Sequence, residues 1–217
     1  MAGCWEYDEI LMGDTDKHTN THGTTMDFFD TAYEGTPPWD IGRPQKEFVA
    51  LAKKGEISGS VLDIGCGTGE HALFFAQEGH EVWGVDSAPL AIRKATEKAA
   101  QRGLHVRFLV MDARDLPRLG RKFDTVTDSG FFHTLSDDDR RLFVENLAAI
   151  VRPGGRYFML CFSELEPAGY GPRRVTKQEI LDSFQKGWTI NYIIPAVFES
   201  RTRAEGPRAW LSSISRN

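Results

Sequence analysis

The stretch Val61-Leu62-Asp63-Ile64-Gly65-Cys66-Gly67-Thr68-Gly69 decides the fold. A short apolar strand, Val61 to Ile64, runs into a glycine-rich turn, and a helical pattern from about His71 to Glu78 follows, ended by Gly79. Glycines in such a turn let a ligand approach the main chain where a Cβ would collide. The spacing is G-x-G-x-G, and Glu70 stands where the dinucleotide fingerprint G-x-G-x-x-G requires glycine. The longer motif seats a pyrophosphate on a helix N-terminus. A nucleoside lacking phosphates needs only the close turn and polar side chains.

Outward from this turn the same alternation of apolar runs and helical patterns continues, which predicts strand-helix-strand units and a parallel sheet. Glu81 to Asp86 is a second strand; Ser87 is the expected N-cap of a helix with Pro89 in its first turn, running through Arg102 to Gly103. Val106 to Asp112 and Phe123 to Asp128 are strands three and four. Ser136 with Asp139 resembles a capping box and opens a helix to about Val151, and Arg152-Pro153-Gly154-Gly155 is a predicted turn into strand five, Arg156 to Phe162. Thr176 with Glu179 starts a further helix to Lys186. Thr189 to Phe198 and Ala209 to Arg216 are joined too closely for a crossover helix, so they must pair antiparallel. Upstream, Pro44 suits the first turn of a helix through Lys54, and Met26 to Tyr33 is a candidate short helix. The division expected is a flexible tail over 1–24, N-terminal helices over 25–55 and the core over 56–217.

Composition narrows the function. The chain has 217 residues, 26 Lys+Arg against 31 Asp+Glu and a formal charge of −5, an ordinary globular composition. Net acidity argues against a non-specific binder of nucleic acid or anionic membrane, which needs a basic footprint. Cys4, Cys66 and Cys161 form neither a disulfide framework nor a metal motif. No apolar run approaches a membrane span, and the acidic N-terminal residues do not suit a signal peptide, so a cytoplasmic location is expected.

The acids at the strand ends carry the chemistry. Asp86 closes strand two, 21 residues past Gly65, where a carboxylate can accept hydrogen bonds from both hydroxyls of a ribose. Asp112, with Ala113, ends strand three on the same sheet edge, either to reach the exocyclic amine of an adenine or as a solvated loop acid. At these spacings VLDIGCGTG, VWGVDSAP, VMDARDLP and FDTVTDSGFFHTL resemble the motifs of class I S-adenosylmethionine-dependent methyltransferases, over about residues 36 to 217. The resemblance implies a Rossmann-like α/β three-layer sandwich with a seven-stranded, mostly parallel sheet whose last strand is antiparallel. It also implies that Asp63 and the backbone of Gly65, Cys66 and Gly67 hold the methionine end of the cofactor. Asp86, with Ser87 beside it, would take the ribose, Asp112 and Ala113 the adenine, and Asp128 or Ser129 would face the sulfonium.

PPWDIGRPQ ahead of the core, with DSGFFHTL and GPRRVT, is similar to the thiopurine methyltransferase-like group, which includes halide and thiol methyltransferases. That resemblance carries Trp39, Gly42 and Arg43 over as lid or cofactor contacts; a local staple is the other reading of Trp39. A small-molecule acceptor is implied, with sulfur, halide or an aromatic hydroxyl as nucleophile. A hydroxyl needs a proton acceptor, and His133 is either that base or a structural histidine bonded to loop backbone. Phe131 and Phe132 either line an apolar acceptor pocket or anchor their loop in the core. Arg173 and Arg174 either bind an anionic substrate or form a solvated loop pair. A nucleic-acid methyltransferase and a non-catalytic cofactor-binding module are the rival readings.

Overall fold

Strand β1, Ser60–Ile64, is buried at all five positions, as expected of a central strand covered on both faces. The computed structural model describes residues 28–169 and 171–217; the tail expected over 1–24 lies outside them. Six further strands complete one sheet: β2 (Glu81–Asp86), β3 (Val106–Val110), β4 (Phe123–Ser129), β5 (Val151–Phe162), β6 (Trp188–Val197) and β7 (Arg208–Arg216), in the order β3-β2-β1-β4-β5-β7-β6. β1 pairs parallel with β2 and with β4, whereas β7 is antiparallel to both β5 and β6. The chain order reverses between β1 and β4, which opens a crevice off the carboxyl ends of those strands.

Helices cover both faces. Residues 28–32 are helical (α1), followed by α2 (Lys46–Lys53), α3 (Glu70–Gln77), α4 (Pro89–Arg102), α5 (Asp137–Ile150) and α6 (Lys177–Ser183). Alternation along β1 sends Leu62 and Ile64 into one core with Phe143, Leu147 and Ile180 of α5 and α6, and Val61 into another with Phe48 and Phe75 of α2 and α3. Each such side chain contributes about 1.5–3 kcal/mol on burial. The Thr176–Glu179 capping box is present in full at α6.

Three local expectations are corrected. Ser87 does not cap α4: the N-cap is Ala88, whose side chain makes no capping bond, and the first-turn N–H of Leu90 donates instead to Asp30 Oδ1 at 2.9 Å, while the Ala88 N–H donates to Asp86 Oδ1 at 2.9 Å. Pro44 precedes α2 rather than entering it, and Gln45 is the N-cap. The Arg152–Gly155 turn lies inside β5, where the pairing with β4 shifts register between Phe123 and Thr125. A Cβ on Gly155 would meet Arg152 O at 2.9 Å and Asp124 O at 3.0 Å, so the turn signal marks a bulge and the strand resumes beyond it.

Candidate active site

The floor of the crevice is the turn between β1 and α3. Gly65 and Gly67 have φ of +63° and +53°, and a Cβ on Gly67 would stand 2.6 Å from the Tyr33 hydroxyl. No other residue fits that close approach in the left-handed region. The turn is tied to β2 because Cys66 N donates to Val85 O at 3.0 Å and Gly67 N to Asp86 Oδ2 at 2.8 Å. Asp86 is thus held by two main-chain donors; burial raises its pKa, and the bonds from Ala88 and Gly67 oppose that. Met111 N donates to Asp86 O, which brings the end of β3 and the loop at Asp112 alongside.

Two buried polar atoms here take no hydrogen bond from any described residue. Asp63 is 1% exposed; Thr127 Oγ1 donates to its Oδ1 at 2.8 Å, while Oδ2 has no donor. Burial pushes its pKa up to about 7 against the pull of Thr127. The Ser129 hydroxyl, at the end of β4, is also without a partner among the described residues; it lines a cavity of about 50 Å³ that is bordered by Gly65, Cys66 and Gly67 but not by Asp63 or Asp86.

Residues 33–46 form the roof. Trp39 Nε1 donates to the Tyr33 hydroxyl at 3.0 Å, the two rings meeting edge to face, and Thr68 Oγ1 donates to Asp40 Oδ2 at 2.9 Å. Trp39 and Arg43 therefore lie over the glycine turn. Arg43 turns its guanidinium to Glu199, at 3.0 and 2.9 Å, and Gly42 is a turn residue with φ of +71° and open space around it. Cys66 is buried and its thiol pKa is driven far up by desolvation, so it is no nucleophile.

The acceptor-side expectations are corrected most. Asp128 is fully buried and faces inward: its carboxylate accepts from Phe131 N (2.7 Å), Phe132 N (2.9 Å) and the Tyr157 hydroxyl (2.7 Å), leaving Ser129 as the wall residue. Phe132 is a fully buried core side chain under Arg140, and Phe131 packs its ring on Phe143, with its Cβ below Gly65. His133 accepts from Phe162 N through Nδ1 at 3.0 Å and packs between Phe162 and Phe198. Desolvation first, then Arg140 and Arg174, push its pKa down to about 3, and the committed Nδ1 puts its proton on Nε2; this geometry makes it a structural residue rather than a base. Arg173 pairs with Asp137 and Glu179, and Arg174 donates to the carbonyls of Glu166, Pro167 and Pro172, so both tie down their own loop. Asp112 accepts from Arg114 N at 2.8 Å and its guanidinium at 2.6 Å, while Ala113 O accepts from Asn146. Tyr33, Asp40, His71 and Phe198 also line the cavity and were missed. His71 accepts from Gln45 N at 3.0 Å, and burial lowers its pKa to about 4. The signal that pointed to that roof was PPWDIGRPQ, through Trp39, Gly42 and Arg43.

The family described as "Methyltransferase domain" matches residues 61–155. A 2-heptyl-1-hydroxyquinolin-4(1H)-one methyltransferase of Mycobacteroides abscessus is 36% identical over 182 residues, 79% of this chain and 80% of that protein. A probable thiol methyltransferase 2 of Arabidopsis thaliana is 28% identical over 84% of this chain and 80% of its own length. A structure solved for the conversion of a disulfide bond into a thioacetal group during echinomycin biosynthesis superposes with a TM-score of 0.82 at 37% identity, over 88% of this chain and 93% of that one. Identity at this level along most of both chains, on a sheet that brings a glycine turn and the acids at its strand ends to one crevice, makes this chain a class I S-adenosylmethionine-dependent methyltransferase.

Proposed function

We propose that this methyltransferase acts on a small aromatic or sulfur acceptor that arrives already ionised, in the thiopurine methyltransferase-like group. One observation carries the reading: among the described residues, every titratable group on the cavity wall is engaged or unsuited to take a proton. His71 spends its lone pair on Gln45 N, and Asp40 accepts from Thr68 and Gly42. Glu70 is paired with Lys98 and Arg102. Burial raises the pKa of Tyr33 and Cys66, keeping both protonated, and Arg43 is a cation bound to Glu199. A phenol or alcohol of ordinary acidity would find no base there. The hydroxyquinolone and thiol methyltransferase relatives support acidic hydroxyls and thiols as the class.

The residues present fit the cofactor. Asp63 Oδ2 is a buried acceptor and Ser129 Oγ a buried hydroxyl, both without a partner among the described residues, and the glycine turn leaves room that a Cβ would fill. Asp63 and the Gly65–Gly67 backbone would hold the methionine end, Asp86 the ribose, and Asp112 with Ala113 the adenine. Bound S-adenosylmethionine supplies an activated methyl carbon for in-line displacement. The chain's own task is alignment and exclusion of water, performed by Trp39 and Tyr33 above and Phe198 at the side.

Turnover across pH with iodide and graded series of thiophenols and hydroxyquinolones tests this reading. The rate should follow each acceptor's own ionisation. A single inflection shared by all acceptors would reveal a protein base and sink the proposal.

A further inference from the structure

The roof cannot admit a ligand as it stands. The cavity of about 50 Å³ has room for a water or two, against about 300–1,000 Å³ for ordinary ligand pockets. Roof and floor also touch directly, through Tyr33 against Gly67 and Asp40 against Thr68. The strap of residues 38–46 must therefore lift for the methionine end to enter.

What holds that strap down is a loop distant in sequence. Glu199 follows β6, and its carboxylate accepts from both guanidinium nitrogens of Arg43, at 3.0 and 2.9 Å, and from Lys46 N at 2.8 Å. Its main chain pairs with the Gln45 amide in both directions: Glu199 N donates to Gln45 Oε1 at 2.7 Å, and Gln45 Nε2 donates to Glu199 O at 2.9 Å. Arg201 N and the Ser200 hydroxyl then donate to Pro38 O, at 2.9 and 3.3 Å. The residue just before Glu199 is Phe198, whose ring lines the cavity, meets Phe162 edge to face and would sit 3.0 Å from a Cβ on Gly130. One short loop thus fastens the strap at both ends and carries an aromatic wall of the site.

We propose that Glu199 is a positioning residue that latches the 38–46 strap over the glycine turn and couples its closure to the placement of Phe198. Lifting the strap breaks the Glu199 bonds or drags the 198–201 loop, so closure on the cofactor and formation of the acceptor wall become one event. The proposal rests on the family's use of S-adenosylmethionine, not on the acceptor class argued above.

Stopped-flow tryptophan fluorescence with S-adenosylhomocysteine tests the latch, alongside acceptor KM and kcat. Glu199→Ala should speed release of S-adenosylhomocysteine by about tenfold, the scale of a lost charge-assisted hydrogen-bond cluster, and should raise acceptor KM more than it lowers kcat. Glu199→Gln keeps an acceptor oxygen for Lys46 N and should stay within about threefold of wild type. Arg43→Glu should release fast, and adding Glu199→Arg to it should slow release again, a coupling that loss of packing would not produce. If Glu199→Ala fails to fold, the reversed pair decides. Release within about twofold of wild type in Glu199→Ala, or faster release in Arg43→Glu that Glu199→Arg does not slow, overturns the latch. Faster release in Glu199→Ala with acceptor KM unchanged overturns the coupling to Phe198. No binding of S-adenosylhomocysteine to the wild type would overturn the cofactor reading and the latch together.

Discussion

Asp86 holds the Gly67 and Ala88 N–H groups in the folded chain, so its replacement should be felt twice. Asp86→Ala is expected to weaken S-adenosylhomocysteine binding by about 1.5–3 kcal/mol and to lower Tm as well; calorimetry showing unchanged affinity would remove it from the ribose site. Asp63 gives a pH signature. Its carboxyl, pushed up to about 7, is largely protonated at pH 6, whereas an ammonium group on the methionine end favours the ionised form. Affinity should therefore rise between pH 6 and 7.5 with proton release at the lower pH, read by calorimetry in buffers of different ionisation heat, and Asp63→Asn should abolish that dependence. His133 gives the opposite kind of test. Its folded pKa, near 3, lies below the unfolded value of about 6.5. The neutral buried ring thus contributes stability that is present above pH 6.5 and lost as pH falls toward 3. His133→Gln should lose less Tm than wild type between pH 7.5 and 5, and should affect thiol and hydroxyl acceptors alike; selective loss on hydroxyls would restore the general-base reading.

At the scale of elements, the bulge in β5 shows how a correct local signal can be misplaced. Arg152-Pro153-Gly154-Gly155 does turn, but Val151 still pairs with Phe123 on the near side and Arg156 with Thr125 on the far side. Two strand segments already registered on β4 absorb the extra residues as a bulge instead of ending the strand. Gly155→Ala would drive a Cβ against the carbonyl oxygens of Arg152 and Asp124, and it should cost about 1–3 kcal/mol of stability by denaturant unfolding. An unchanged midpoint would mean that the bulge relaxes freely. The start of α4 is a similar case: Ser87 was the local candidate for its cap, but the first-turn N–H of Leu90 is taken by Asp30, which arrives from α1.

For the whole molecule, ligand binding at the crevice should stabilise the entire sheet, because β1, β2 and β4 all end there. S-adenosylhomocysteine at about 100 times its Kd should add about 2.7 kcal/mol, raising Tm by about 5–10 °C for a chain of this size; no shift under saturating ligand would separate the site from the cooperative core. The sheet itself was legible in advance. Apolar runs, the G-x-G-x-G turn, the capping box at Thr176 and the acids at Asp63, Asp86 and Asp112 are signals written within a few residues of one another, and backbone sterics and periodicity translate them directly. The too-short connection before Ala209 likewise forced an antiparallel end to the sheet. Side-chain direction in the loops carried no such local signal. Asp128, Phe132, His133, Arg173 and Arg174 sit in loop-bordering segments: Tyr157 completes the shell around Asp128, Phe162 N takes His133, Arg173 reaches Asp137 and Glu179, and Arg174 closes on carbonyls of its own loop, contacts that no periodicity encodes. The roof belongs to the same class. Tyr33 meets Gly67 only after the chain folds back, and Arg43 finds Glu199 across 156 residues. Sequence by itself determined the sheet, the turn and the acids at its strand ends, because those follow from short-range geometry; tertiary structure alone decided what fastens the roof over the turn and which loop side chains are buried, because those contacts exist only once distant segments share a surface.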